Sequence, residues 1–195
     1  MPADPVARKR ALRAEVREQR RIMPAGERER ANEAIGRGLI ELAEGLGATS
    51  VAAYLSTPAE PSTRAFLDWA LVAGVRVLLP ISRADGLLDW APYDGADEDF
   101  DLLGMPQPTT DLLSPLAVND VDLILVPAAA IDRTGMRMGW GRGYFDRTLG
   151  SMGRRPPVYA VVFDPEIVDS VPVEPQDEPV DGAVTPSGTV AFPKH

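Results

Sequence analysis

The sequence contains no cysteine, so disulfides, thiol nucleophiles and cysteine-ligated zinc are unavailable to it. Histidine is nearly missing as well. The single one, His195, is the last residue, which excludes a Ser-His-Asp triad and an HExxH metal site. No apolar run approaches the roughly 20 residues of a membrane span. The opening MPADPVARKRALRAEV lacks the apolar core of a secretory signal. These absences lead to the expectation of a cytoplasmic protein without membrane attachment, and the chain is taken to be a monomer. An enzyme built this way works with carboxylates, cations, hydroxyls and a metal held by oxygen.

What is present fits an ordinary globular chain, with 45% apolar and 25% charged residues. Its 195 residues are long enough for a substantial core and are read as a single domain, 1–195. The net charge of −9 argues against nucleic-acid binding by the surface as a whole. The charge is unevenly placed, however: residues 1–30 hold nine Lys/Arg against five Asp/Glu.

The pattern predicts a helix from Pro5 to Ile22, in which Lys9, Arg13 and Arg17 form a positive stripe extended by Arg20 and Arg21. A second helix follows Pro24, from Gly26 to Leu46, and a third runs from Arg64 to Ala73 with Thr63 as its cap. Strands are expected at SVAAYL (50–55), VRVLLP (75–80), LLDWAPY (87–93), VDLILVP (121–127), VYAVVF (158–163) and the final TVAF. DGADEDFD reads as an acidic loop, GMPQP as a proline-stiffened one, and VPVEPQDEPVDGAVTP as a Pro-rich tail. Strands alternating with helices imply an α/β fold, a mostly parallel sheet covered on both faces.

One segment carries chemistry. GMRMGWGRGYFDRTLG (135–150) follows the apolar VDLILVP strand and leads into a helix near Tyr144. In open α/β sheets ligands bind beyond the carboxyl ends of strands. Gly139, Gly141 and Gly143 permit positive φ and close approach of backbone N–H groups to an anion, and the helix start adds free donors. Arg137 and Arg142 add bidentate cations. The spacing matches neither GxxxxGK[ST] nor GxGxxG, so a phosphate cradle and a structural turn both fit. Asp146 beside such a cradle suits a bridging Mg²⁺; helix-dipole stabilisation or pairing with Arg147 explains it equally.

GMRMGWGRGYFDRTL resembles the signature of the 5-formyltetrahydrofolate cyclo-ligase (methenyltetrahydrofolate synthetase) family, close to GxRLGYGGGYYDRxL. KRALR (9–13) is similar to the family's KxxLR, AAYLSTPAEPST to YLSxxxEVxT, GMPQP to GIP(E/Q)P, and VPVEPQDEPVDGAVTP to VPxExHDxPVDxxxT. The likeness thus spans nearly the whole chain, with five motifs in order. It implies a Rossmann-like three-layer α/β/α sandwich. It also implies ATP- and Mg²⁺-dependent closure of 5-formyltetrahydrofolate to 5,10-methenyltetrahydrofolate, with ADP and phosphate released. The partners implied are small molecules alone.

By the same resemblance, Lys9, Arg13 and the run Arg137, Met138, Gly139, Trp140, Gly141, Arg142, Gly143, Tyr144 and Phe145 match ATP-binding positions. Arg137, Tyr144 and Asp146 match the catalytic centre, and Asp146 and Asp181 the metal carboxylates. Leu55, Glu60, Met105 and Tyr144 match folate positions, while Trp90 fits either a pocket wall or the core. The chain departs from the pattern at Arg142 (for glycine), Phe145 (for tyrosine) and Gln176 (for histidine). The alternatives are an ATP/folate-binding protein that is non-catalytic, or one that acts on a different acceptor.

Overall fold

Residues 4–193 are described by a computed structural model; His195 lies outside them. Helix α1 spans Pro5–Ile22. Pro5 suits the first turn, where no N–H partner is needed, and Asp4 accepts the Val6 N–H at 3.1 Å. Helix α2 runs Ala25–Gly45, α3 Arg64–Ala73 and α4 Tyr144–Ser151. Gly74 ends α3 in the left-handed conformation at φ 71°.

The main sheet contains β1 (Ser50–Ala52), β2 (Arg76–Ser82), β3 (Leu88–Pro92), β6 (Leu123–Pro127), β9 (Val158–Val161), β11 (Gly182–Thr185) and β12 (Gly188–Ala191), in the order β12-β11-β9-β6-β1-β2-β3. The five inner strands are parallel, and β12 and β3 close the edges antiparallel. Burial on both faces explains the unbroken apolar runs in the sequence. Alternate residues of β6 serve opposite cores. Leu123 and Leu125 join Ile35, Leu39 and Phe66 of α2 and α3, whereas Ile124 and Val126 join Leu149 of α4. The result is the mostly parallel three-layer α/β/α arrangement that the sequence led us to expect.

Strand order reverses between β1 and β6: from β1 the chain crosses through α3 to β2, and from β6 it crosses through α4 to β9. The crevice for a ligand therefore opens between the segments that follow β1 and β6. Residues 53–63 leave β1 there, and residues 128–143 leave β6.

Several elements escape the sequence reading. Part of the glycine-rich segment is strand: β7 (Ala130–Asp132) and β8 (Arg137–Met138) form a hairpin, joined by β10 (Ile167–Val168). The acidic loop and GMPQP instead pair as β4 (Glu98–Phe100) and β5 (Pro106–Pro108). Within the Pro-rich tail lies β11. Thr63 occupies the N-cap position of α3 without capping it; its hydroxyl donates to the Tyr54 carbonyl at 2.6 Å, fixing the turn after β1.

Gly182 shows why so short a strand can sit inside the sheet. A Cβ there would lie 2.3 Å from the Tyr159 ring and 2.4 Å from the Val190 carbonyl oxygen, which is backbone and cannot swing away. We expect Gly182→Ala to lower unfolding stability by about 1–3 kcal/mol, the usual cost of overpacking, as measured by urea denaturation.

Candidate functional site

Two cavities adjoin at the carboxyl ends of β1 and β6, sharing Arg142, Gly143 and Asp146 as a common wall. The larger, about 840 Å³, is lined by apolar side chains such as Leu55, Leu88 and Met105, with arginines among them. The smaller, about 520 Å³, is lined by charge: Lys9, Arg13 and Arg147 against Asp146, Glu174 and Asp177.

The shared wall is built by the glycine-rich segment. Gly141 and Gly143 stand at φ 96° and 69°, a region that side chains with a Cβ avoid. Gly143 is also the N-cap of α4, so the free N–H groups of that helix start face this region. Gly139 does not need positive φ. It is small because a Cβ would come within 2.8 Å of the Arg137 guanidinium.

Arg137 and Met138 are buried and line neither cavity. Arg137 lies behind the wall, donating from Nη2 to Asp146 Oδ1 at 2.6 Å and from Nη1 to the Pro127 carbonyl at 3.2 Å. Its Nε is buried with no hydrogen-bond partner among the described residues. The alternative pairing of Asp146 with Arg147 is not made; Arg147 donates instead to the Gly86 and Arg142 carbonyls. Met138 packs with Ala129, Ala130 and Val171.

Helix α1 lies over the segment that follows β6, held by its cations. Lys9 Nζ donates to Glu174 at 2.7 Å and Asp177 at 2.5 Å, and Arg13 Nε donates to the Gly139 carbonyl at 2.8 Å. Arg17 and Arg20 stand over the Trp140 ring, 5.2 and 5.0 Å from its centroid. Arg20 is not the solvated helix-face residue its stripe suggests. It is 3% exposed, forms a two-pronged pair with Glu166 at 2.6 and 2.8 Å, and donates to the Ala128 carbonyl. Arg21 does remain on the surface, paired with Glu18.

Burial works against the charge on Lys9, but hydrogen bonds and the charges of Asp177 and Glu174 outweigh it and raise its pKa. Burial, joined by the nearby charge of Arg17, lowers the pKa of Arg13. An anion in the smaller cavity would relieve that crowding of positive charge.

In the larger cavity Leu55, Glu60, Met105, Tyr144 and Phe145 come together from three separate segments. Glu60 is 7% exposed, and its Oε2 accepts from the N–H and hydroxyl of Thr57 at 2.8 and 3.0 Å. Tyr144 donates its hydroxyl to the Arg83 carbonyl at 2.8 Å. Trp90 belongs to the core, packed with Leu78 and Val121, and is not a cavity wall.

Asp181 is not brought to the site. It precedes β11 at the amino-terminal end of the parallel strands, where Oδ2 accepts the Val158 N–H at 2.8 Å, and it lines neither cavity. The carboxylates that do share the smaller cavity with Asp146 are Glu174, Asp177 and Glu178. The sequence hid them in the VPVEPQDEP tail, where the alternation of acid and proline looks like solvated loop. Among the described residues, no three acidic side chains are gathered closely enough to hold a metal unaided. A Mg²⁺ with one or two protein carboxylates and phosphate oxygens fits that arrangement.

The sequence pattern of the 5-formyltetrahydrofolate cyclo-ligase family matches residues 5–186. The chain is 38% identical over 190 residues to the 5-formyltetrahydrofolate cyclo-ligase of Mycolicibacterium smegmatis, covering 94% of this chain and 97% of that protein. Its identity to the Escherichia coli K12 protein of the same name is 28% over 178 residues, covering 88% and 97%. Among solved structures, the Aquifex aeolicus 5,10-methenyltetrahydrofolate synthetase superposes with a TM-score of 0.79 at 25% identity, covering 96% of this chain and 94% of that one. The Mycoplasma pneumoniae 5,10-methenyltetrahydrofolate synthetase, at 19% identity and TM-score 0.73 over 91% and 98%, shares the fold.

The Lys9 contacts predict an acid-sensitive helix. The hydrogen bond and charge of Lys9 hold the Glu174 pKa below its ordinary 4.5. The stability this supplies is complete above the unfolded value and is lost as pH falls through the lower folded value. Urea unfolding of wild type should therefore weaken more steeply on acidification than that of Glu174→Gln. Equal slopes would mean that the contact contributes nothing.

Proposed function

The chain belongs to the 5-formyltetrahydrofolate cyclo-ligase family, and we propose that it closes 5-formyltetrahydrofolate to 5,10-methenyltetrahydrofolate at the expense of ATP. One observation carries the reading: an apolar cavity and a charged cavity meet at Arg142, Gly143 and Asp146. Transfer between two ligands of such different chemistry needs this contact, since the reacting atoms must approach to about 3–3.5 Å.

In this reading the triphosphate occupies the smaller cavity. Arg13, Arg142 and the free N–H groups at the start of α4 bind its oxygens. Mg²⁺, when bound, would neutralise charge on the phosphates; Asp146 and Asp177 would hold it. Arg137, now on Asp146 Oδ1, keeps that carboxylate aimed at the wall the cavities share. The folate lies in the larger cavity, with Glu60 accepting from the amino and ring N–H groups of the pterin. Leu55 and Met105 cover its apolar faces, and Tyr144 stands at the reacting end.

The formyl oxygen then attacks the γ-phosphorus. A bond forms between that oxygen and phosphorus as the bond to the ADP oxygen breaks. N10 adds to the activated carbon, the carbon–oxygen bond breaks with phosphate leaving, and the N10 proton is released. Positioning and charge neutralisation drive phosphoryl transfer, so a chain without cysteine, and without histidine among the described residues, is chemically sufficient.

Incubation with 5-formyltetrahydrofolate, ATP and Mg²⁺ should produce the absorbance of methenyltetrahydrofolate; its absence under conditions where a relative works would refute the assignment. Asp146→Ala should lower kcat by about 100-fold or more, the range for losing a charge-stabilising group. Arg13→Ala should raise the KM for ATP about tenfold, the loss of one charge-assisted contact. Normal kinetics in both variants would remove these residues from the site.

A further inference from the structure

Lys9, Arg13, Arg142 and Arg147 all line the smaller cavity, but their charges are not equally available. Glu174 and Asp177 neutralise Lys9. Arg13 and Arg142 already have a part in holding the triphosphate, which leaves Arg147 without one. It is exposed and forms no ion pair among the described residues. Its Nε donates to the Gly86 carbonyl at 2.7 Å and its Nη2 to the Arg142 carbonyl at 2.6 Å. Two neutral acceptors fix the plane of the guanidinium without cancelling its charge. Nη1 donates to nothing among the described residues.

Two glycines make room for this group. A Cβ on Gly86 would lie 2.7 Å from Nη2, and one on Gly143 would lie 3.0 Å from Nη1. Gly143 belongs to the wall between the cavities, so the free nitrogen rests against that wall. The guanidinium also stands over Tyr144, 5.6 Å from the ring centroid, and Tyr144 lines the larger cavity. Arg13 lies farther back along the turn, where a Cβ on Gly141 would come within 3.2 Å of its guanidinium. Of these two arginines, Arg147 is the one at the junction.

Resting on the folate reading above, we propose that Arg147 is a further catalytic residue, whose Nη1 neutralises the γ-phosphoryl group as it passes from one cavity to the other. The bond from the formyl oxygen to phosphorus forms while the bond to the ADP oxygen breaks, and negative charge spreads over the three equatorial oxygens. Those oxygens pass the wall at Gly143. A cation already oriented there by two carbonyls meets them without reorganising. Before transfer the triphosphate rests on Arg13, Arg142 and the start of α4. The contact with Arg147 is therefore stronger in the transition state than in bound ATP, and it acts on rate more than on binding.

Steady-state formation of methenyltetrahydrofolate and calorimetric titration with ATP, both on the full chain, test this. Arg147→Gln should lower kcat about 100-fold, the range for one lost charge-stabilising donor. Its Kd for ATP and its KM for 5-formyltetrahydrofolate should each change by less than about threefold, as for an interaction made only in the transition state. Retained ATP binding also shows that the variant is folded. Arg147→Lys keeps a cation but cannot grip both carbonyls, and it should recover at least about tenfold of the lost rate. An unchanged kcat in Arg147→Gln overturns the proposal and leaves the folate reading standing. So does weaker binding of both substrates at an intact kcat, or a lysine variant no better than glutamine. Either result would make Arg147 only a tie between the 83–87 turn and the wall. A wild type that binds ATP but turns over no 5-formyltetrahydrofolate overturns both the proposal and the folate reading.

Discussion

The buried pair between Arg20 and Glu166 is the contact on which the arrangement of the site depends. Both side chains are 3% exposed, and the two-pronged geometry satisfies the guanidinium from one side while the Ala128 carbonyl and the Trp140 ring meet it from others. Burial raises the Glu166 pKa and outweighs the help of Arg20, so the pair is held by the fold as much as the fold is held by it. Its effect is to fix α1 across the segment that follows β6. Arg13 then reaches Gly139, Lys9 reaches Glu174 and Asp177, and the glycine turn acquires its outer wall.

The topology explains why those contacts fall where they do. Reversal of strand order between β1 and β6 opens one crevice, and both connections from these strands begin in it. The 53–63 turn brings Leu55 and Glu60, and Thr63 pins that turn by bonding the Tyr54 carbonyl. Residues 135–146 bring the glycines and Asp146. Arg137 contributes from behind, holding the carboxylate while lining neither cavity.

Much of this is legible in the chain because the signals are local. Pro5 and Asp4 mark the start of α1, and continuous apolar runs mark strands buried on two faces. Glycines at 141 and 143 mark positions where only a residue without Cβ is comfortable. What was hidden depended on distant partners. Nothing beside Asp181 in the sequence reveals that its carboxylate is used by the Val158 N–H, and nothing in PQDEP announces that Asp177 faces Asp146 across a cavity. Strand β11 was concealed among prolines because its four residues rely on neighbours on both sides and on the missing side chain of Gly182. Arg20 looked like any member of a solvated stripe; only the approach of Glu166 from 146 positions away makes it a core residue.

Because α1 walls both cavities, it also makes them mechanically one. Lys9 and Arg13 line the charged cavity, and Arg17, Arg20 and Arg21 line the apolar one. A stiff helix passes a shift at one end to the other, so a change that loosened the Arg20–Glu166 pair would disturb both walls together. Two cavities of opposite chemistry hang from a single anchor.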